Sequence, residues 1–226
     1  MRILSIGKTL QHDKLDIFSI EGASLHTLSD IEAFDYIIIS GGDGTIRRVI
    51  TQLHKMTHST HFILNPIGSF NVVAKLHKVP KLQTVLDALA NNEILPTQKH
   101  SYFTLNEEVF LFSAGNMGDL QHIFLAETLR FGLLKNNMGK YVLSFLFLLP
   151  LHLIMTPFML MSSNRFFIFT PASFIKRFGS FYGKVQEMTI ELEDTYNHIE
   201  LDGDIVTITD NLLHIKPAGH ILIVTA

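Results

Sequence analysis

The sequence contains no cysteine, which excludes disulfide bonds and thiolate metal sites and permits a reducing compartment. The N-terminal stretch MRILSIGKTLQHDKLDIF also lacks the uninterrupted apolar core of a signal peptide, because charged residues follow its short apolar patch at once. We therefore predict a cytoplasmic protein, with peripheral attachment at the inner face of the membrane as an open alternative.

Acidic residues are missing from one long span. Between Thr128 and Gln186 there is no Asp or Glu, while the span contains seven basic residues. The rest of the chain holds the remaining 11 of the 18 basic residues and all 21 acidic ones, a net charge of −10. Such asymmetry indicates an anionic partner. No recognised nucleic-acid motif is present, so we expect an anionic membrane surface and no nucleic acid.

The same span contains an apolar run, Tyr141–Met161, of 21 residues without a formal charge. Its length suits a transmembrane helix. However, Pro150 and Pro157 interrupt it, and His152 lies near its centre. Three interpretations stay open: a buried helix followed by an extended segment, a segment lying on a bilayer, and a true membrane span. The basic flanks suit the second interpretation.

Strand and helix signals alternate in the first part of the chain. The run Tyr36–Ile39 is typical of a strand buried on both faces, and apolar residues at helical spacing follow it. Alternation of this kind predicts a parallel sheet in three layers. After about residue 96, short strands separated by turns dominate. We predict an α/β fold with a three-layer domain over 1–96 and a smaller, mostly antiparallel β domain over 97–226, which includes the apolar basic segment 128–186.

The stretch Ser40–Thr45, SGGDGT, lies between a predicted strand and a predicted helix. Backbone N–H groups at the positive end of a helix bind phosphate, and glycine lets the backbone approach it closely. A carboxylate repels phosphate, so Asp43 in such a site requires an explanation. It could bind a Mg²⁺ ion that lies between it and the phosphate, or remove a proton from an attacking hydroxyl. A glycine turn with Asp43 as a helix cap is the simpler alternative. We favour phosphate binding because the whole motif stands between strand and helix.

This GGDGT motif resembles the signature shared by diacylglycerol kinases, sphingosine kinases, bacterial lipid kinases and NAD kinases. A second stretch, Asn65–Ala74, resembles the second nucleotide loop of the lipid-kinase branch. Four of its residues match that loop: Pro66, Gly68, Asn71 and Ala74. Ser69 keeps the hydroxyl of the family's Thr, whereas Val72 stands where the family has Asp.

A third resemblance lies near the end of the chain, where Leu201–Asp204 is similar to the family's Asp-Gly-Glu motif with Asp204 in the Glu position. An ordinary Asp-Gly hairpin turn is the alternative, and we favour the functional interpretation because of the two upstream loops. The family's Asn-Pro-x-Ser-Gly loop is absent, since Ser5–Lys8 stands in its place. The chain is also shorter than most members of the family.

The resemblance implies ATP and Mg²⁺ as cofactors, a nucleotide-binding role for residues 1–96 and a lipid- or substrate-binding role for residues 97–226. It implies transfer of the ATP γ-phosphoryl group to a lipid hydroxyl such as that of diacylglycerol. A soluble kinase similar to NAD kinase and an inactive, membrane-associated nucleotide-binding module are the alternatives. Assembly as a homodimer is left open.

The resemblance also implies roles for individual residues. Those expected to cradle phosphate are Gly41, Gly42, Gly44 and Thr45. Those expected to contact the nucleotide are Gly68, Ser69 and Asn71. Asp43 is expected to hold Mg²⁺, directly or through water, and to act in catalysis. Asp202 and Asp204 are expected to orient or deprotonate the acceptor hydroxyl.

Overall fold

The computed structural model describes residues 1–28, 30–54, 60–116, 157, 161 and 164–226. The chain divides into two compact units, one formed by Met1–Leu111 with Lys216–Ala226 and the other by Phe112–Ile215. This division differs from the predicted boundary near residue 96. The first unit continues past that point because the strand Thr97–Leu105 pairs within its sheet.

The first unit is built on one mixed sheet. Its strands are β1 (Arg2–Ile6), β2 (Asp16–Ile20), β3 (Tyr36–Gly41), β4 (His61–Pro66), β5 (Thr97–Leu105), β6 (Glu108–Phe110) and the C-terminal part of β13 (Leu212–Val224). Their order in the sheet is β2-β1-β3-β4-β13-β5-β6. Strands β1 to β4 pair in parallel, β13 joins β4 in parallel, and β5 and β6 form an antiparallel hairpin. The predicted parallel sheet is confirmed.

Helices cover the central strand β3. The helices of this unit are α1 (Asp43–Leu53), α2 (Val72–Leu76) and α3 (Leu82–Ala90). The apolar face of α3 packs on alternate residues of the sheet, including Ile38 and Ile63. Since neighbouring residues of a strand point to opposite faces, Ile37 and Ile39 lie on the other face, and both are buried. Helix α1 contacts β3 and buries its own apolar side chains. The sheet of this unit therefore has helices against it and is buried on both faces at β3.

The second unit contains a five-stranded sheet. Its strands, in chain order, are β7 (Ser113–Gly115), β8 (Phe167–Phe169), β9 (Phe181–Tyr182), β11 (Asn197–Leu201) and β12 (Asp204–Ile208). The sheet order is β12-β11-β7-β8-β9, and every pairing is antiparallel except that of β8 with β9. A further strand, β10 (Met188–Glu191), pairs antiparallel with residues 212–215 of β13. The predicted second, mostly antiparallel part is confirmed.

Most of the apolar basic segment 128–186 lies outside the described residues, which include only 157, 161 and 164–186 of it. Of the apolar run Tyr141–Met161, only Pro157 and Met161 are described. Within the parts of the chain that the structure describes, no helix is both long enough and apolar enough to cross a membrane. The three interpretations of the run therefore stay predictions.

Candidate functional site

The SGGDGT stretch forms a direct transition from strand to helix. Strand β3 ends at Gly41 and α1 begins at Asp43, so Gly42 alone separates them, in an extended conformation with φ −93° and ψ −174°. The N–H groups of Thr45 and Ile46 already donate to the Gly42 carbonyl oxygen. The first N–H groups of a helix have no acceptor within the helix, and they lie at its positive end. This geometry suits the binding of a phosphate group.

Thr45 lies directly over the end of β3. A Cβ atom on Gly41 would overlap the Thr45 side chain, so only glycine fits at this position. The exposed Arg48 donates from Nη2 to Thr45 Oγ1 at 3.4 Å, which brings a guanidinium to the first turn of α1. The neighbouring Arg47 is instead buried, and its Nη1 lies 3.4 Å from Oε2 of Glu108. Of the two arginines that follow the motif, Arg48 is therefore the one oriented toward the first turn.

Asp43 joins the two glycine loops. Its side chain is buried, with 7% of the residue exposed. Oδ2 accepts a hydrogen bond from the N–H of Val72 at 2.7 Å, and Oδ1 accepts one from the N–H of Val73 at 3.0 Å. These two residues begin α2, so Asp43 caps a helix other than its own. A carboxylate that accepts backbone N–H groups forms charge-assisted bonds, which are stronger than neutral ones.

The two glycine loops also touch through their backbones. A Cβ atom on Gly68 would lie 2.7 Å from the Cα of Gly42 and 2.8 Å from Oδ1 of Asn71. Asn71 has a left-handed φ of +49° and closes its loop with two bonds: its Oδ1 accepts from Gly68 N–H at 3.1 Å, and its Nδ2 donates to the Gly68 carbonyl at 2.6 Å. Ser69 lies exposed at the tip of this loop. The structure thus brings the residues predicted to bind phosphate and nucleotide together in the first unit.

Val72 occupies the place of an acidic residue in the resembled motif. Its main-chain N–H makes the bond to Asp43, and this bond does not depend on the Val72 side chain. The substitution therefore removes a carboxylate from the second loop but preserves the hydrogen bond between the loops.

Asp202 lies in a tight turn of the second unit. Asp202 and Gly203, with φ values of +52° and +92°, form the two-residue connection between β11 and β12. The strand residues on either side of it, Leu201 and Asp204, are paired. Left-handed angles at both central residues are typical of a type I′ hairpin. The backbone therefore forms the Asp-Gly hairpin turn that was the predicted alternative. A chemical role of Asp202 and Asp204 would be a second role besides this structural one.

The Asp202 carboxylate holds this turn against β7. It is buried, and its Oδ1 accepts hydrogen bonds from the N–H groups of Phe112 and Ser113, both at 2.9 Å. The Asp202 N–H in turn donates to the Ser113 carbonyl at 3.1 Å. Asp204 begins β12 and is half-buried. These contacts give Asp202 a clear structural role, and they leave Asp204 as the more accessible carboxylate of the pair.

Glu200 belongs to the same cluster, and the sequence reasoning missed it. Its Oε1 accepts from the Ser113 hydroxyl at 3.2 Å and from the Gly203 N–H in a short hydrogen bond. The signal that could have found it is its position: Glu200 lies two residues before the turn, close enough along the chain for its carboxylate to accept the Gly203 N–H.

A buried histidine pair lies in the first unit, outside the glycine loops. His77 Nε2 is 2.9 Å from His100 Nδ1, and His77 Nδ1 is 3.3 Å from Oε1 of Gln98. Burial, and after it the neighbouring His77, lowers the pKa of His100 to about 4. His100 is therefore neutral at neutral pH. The sequence offered no pattern that identified this pair.

The metal prediction for Asp43 rests on one carboxylate. No group of three or more His, Asp or Glu side chains suited to a metal ion occurs among the described residues. Mg²⁺ in nucleotide sites is commonly held by one or two carboxylates together with phosphates and water. Each Asp43 oxygen already accepts one backbone N–H. Asp43 is therefore better suited to contact a Mg²⁺ ion through a water molecule than to bind it directly.

Comparison with known proteins finds one matching family and several similar folds. Residues 6–100 match the family model of the diacylglycerol kinase catalytic domain. No curated protein matches the chain. A solved structure of a diacylglycerol kinase from Bacillus anthracis str. Sterne aligns with a TM-score of 0.58 and 15% identity, over 100% of this chain and 96% of that one. Two structures provisionally assigned as a diacylglycerol kinase from the same organism align at TM-scores of 0.57 and 0.59, with 14% identity and the same coverage.

An NAD kinase from Archaeoglobus fulgidus in complex with ATP aligns more weakly, with a TM-score of 0.43 and 13% identity, over 100% of this chain and 94% of that one. The Bacillus structures confirm the α/β fold. Residues 6–100, which include both glycine loops, are thus similar to the diacylglycerol kinase catalytic domain, and this match confirms the resemblance inferred from those two loops.

Proposed function

We propose that this protein is a phosphotransferase that moves the γ-phosphoryl group of ATP to a lipid hydroxyl, such as that of diacylglycerol. This proposal rests mainly on the contact between the two glycine loops, which both lie within residues 6–100, the range that matches the catalytic-domain family model. Gly42 and Gly68 meet backbone to backbone, and the Asp43 carboxylate fixes that contact from α1 to the start of α2.

In this proposal, the main chain of the first loop binds phosphate. Gly42, Asp43 and Gly44 lie at the positive end of an 11-residue helix, where phosphate oxygens are favoured. Gly68 and Ser69 contact the nucleotide from the second loop, and Asn71 positions them through its two bonds to Gly68. Arg48 adds positive charge at the first turn.

Catalysis of phosphoryl transfer consists mainly of positioning and charge neutralisation. Mg²⁺, when bound, neutralises charge on the transferred phosphate, and Asp43 would meet it through water. The acceptor oxygen forms a bond to the γ-phosphorus while the bond from that phosphorus to the β–γ bridging oxygen breaks, releasing ADP. The hydroxyl proton passes to a base, and for this role we propose Asp204 on the ground of its place in the motif similar to the family's Asp-Gly-Glu. Asp202 and Glu200 fix the turn that carries Asp204.

An inactive nucleotide-binding module is the second candidate. Two observations favour it: Val72 lacks the carboxylate of the resembled loop, and Asp202 Oδ1 already accepts two backbone hydrogen bonds. Such a module would bind ATP in the same loops without transferring phosphate.

The test is a label-transfer assay with the full chain, γ-labelled ATP and Mg²⁺. One reaction contains diacylglycerol in mixed micelles, a second contains total bacterial lipid, and a third contains NAD without lipid or detergent. Binding of a non-hydrolysable ATP analogue is measured in parallel. Asp204→Asn is the variant of interest, and Asp194→Asn is its matched control, because Asp194 is an exposed aspartate of the same unit.

We expect labelled lipid with the wild-type protein and with Asp194→Asn, and a loss of at least about 100-fold with Asp204→Asn, the lower range for a removed general base. Label in NAD alone would replace the lipid kinase with a soluble nucleotide kinase. ATP-analogue binding without any labelled product would establish the inactive module. Absence of both would overturn the nucleotide-binding proposal itself.

A further inference from the structure

The described part of the basic segment includes a tightly held loop, residues 173–184, which we call the docking loop. Phe178 and Phe181 exchange two backbone hydrogen bonds of 2.8 and 2.9 Å, and between them Gly179 adopts a left-handed φ of +59°. A Cβ atom on Gly183 would overlap the carbonyl oxygens of Ala172 and Ile175. These contacts give the loop one defined shape.

Two phenylalanines project from this loop into solvent. Phe174 is 85% exposed and Phe178 is 66% exposed. Exposed large apolar side chains are unfavourable in water, and two of them within five residues of one loop are a candidate for contact with a partner. Backbone hydrogen bonds hold the loop at Phe178 and Phe181, and in this shape both exposed rings lie on the surface.

Basic residues accompany the two rings. Lys176 and Arg177 lie between the phenylalanines, Lys184 lies at the end of the loop, and all three are exposed. Arg177 Nε donates to the Gly179 carbonyl at 2.9 Å, and its guanidinium lies 5.2 Å from the centre of the Tyr182 ring. No acidic residue occurs from 128 to 186, so no carboxylate of this segment neutralises these charges.

We propose that the docking loop binds an anionic lipid surface, with Phe174 and Phe178 entering the interface and Lys176, Arg177 and Lys184 meeting the lipid phosphates. Exposed aromatic rings next to exposed Lys and Arg suit the two parts of a bilayer surface, its apolar boundary and its negative headgroups. This inference rests on the proposed lipid-kinase function, because binding to the membrane surface would bring the protein to its lipid substrate. Binding of the protein to vesicles is tested separately from phosphate transfer.

The first test is sedimentation of the full chain with vesicles that contain neither diacylglycerol nor ATP, so failure of the proposed activity cannot affect it. Equimolar phosphatidylglycerol and phosphatidylcholine are compared with phosphatidylcholine alone. One variant combines Lys176→Gln with Arg177→Gln, and its control combines Lys81→Gln with Lys99→Gln, two exposed lysines of the first unit. Each basic residue near an anionic surface changes affinity roughly fivefold, so we expect a loss of about 25-fold in the first variant alone.

The second test removes the rings. Phe174→Ser combined with Phe178→Ser should weaken binding to anionic vesicles by at least about tenfold, since both rings lose their apolar contact. Ile94→Ser is the matched control, because Ile94 is 97% exposed in the first unit. Circular dichroism confirms that each variant is folded.

A third test does not depend on loss of function. The chain contains no tryptophan, so Phe174→Trp introduces a single indole fluorophore. Its emission should shift to shorter wavelength with anionic vesicles and stay unchanged with neutral ones. An unshifted spectrum together with unaltered sedimentation of the other variants would overturn the proposal. It would also be overturned if light scattering showed that the ring variant converts a dimer to a monomer without loss of vesicle binding, because the loop would then join two copies.

Discussion

Replacement of Asp43 by Asn tests the contact between the two glycine loops. The carboxylate accepts one backbone N–H on each oxygen, from Val72 at 2.7 Å and from Val73 at 3.0 Å. An Asn side chain has one oxygen, so it can keep one of these bonds. Its amide group then faces the second N–H, and two donors cannot bond to each other.

The magnitude follows from the two bonds. A hydrogen bond to a charged group contributes about 1.5–3 kcal/mol, and a buried N–H group left without a partner costs about 1–3 kcal/mol. We therefore expect Asp43→Asn to lower the free energy of unfolding by about 2–4 kcal/mol. The site is only 7% exposed, so water compensates little.

Urea unfolding followed by circular dichroism measures this change. Asp13→Asn is the matched control, because Asp13 is an exposed aspartate of the same unit, and its change should stay within about 0.5 kcal/mol. If Asp43→Asn were as stable as this control, the carboxylate would not hold the loops together and the reasoning would be refuted. If the loss is found, inactivity of Asp43→Asn alone does not demonstrate a chemical role for the carboxylate.

Three further predictions follow from the geometry. Gly68→Ala forces a Cβ to 2.7 Å from Gly42 Cα, so the loops must separate; we expect about 1–3 kcal/mol lower stability in urea unfolding and weaker ATP-analogue binding by calorimetry. Asp202→Asn keeps an Oδ1 acceptor and tolerates the left-handed backbone, so thermal unfolding should show a loss near 1 kcal/mol, against about 2–4 kcal/mol for Asp202→Ala. His100, whose pKa is about 4 when folded and near 6.5 when unfolded, binds its proton more tightly in the unfolded chain. Stability should therefore fall by up to about 3 kcal/mol from pH 7 to pH 4, as measured by urea unfolding.

Each of these predictions has a contrary outcome. Normal ATP-analogue binding by Gly68→Ala would show that the loop contact does not shape the nucleotide site. Equal destabilisation by Asp202→Asn and Asp202→Ala would mean that the charge, and not the acceptor geometry, holds the turn. A pH profile of stability unchanged between wild type and His100→Gln would show that the histidine pair does not govern acid sensitivity.

Local sequence signals determined much of this protein. The β-branched run Tyr36–Ile39 indicated a buried strand, and the glycines after it indicated an abrupt change to a helix, since both features depend on neighbouring residues. The Asp-Gly pair at 202–203 offered a hairpin turn as the alternative to a functional motif for the same reason, and the backbone forms that turn. Family resemblance then supplied the chemistry expected of these elements, and residues 6–100 match the family model of the diacylglycerol kinase catalytic domain.

Only the tertiary structure decided which groups meet. Asp43 bonds to Val72 and Val73, about thirty positions away, and not to its own helix. Glu200 and Asp202 meet the strand that begins at Ser113, nearly ninety residues earlier in the chain. Such contacts leave no periodic pattern, because hydrogen bonds between distant segments depend on how strands are ordered in space. The same reason explains why β13, the last strand, lies between β4 and β5, and why the first unit extends beyond the boundary that composition suggested.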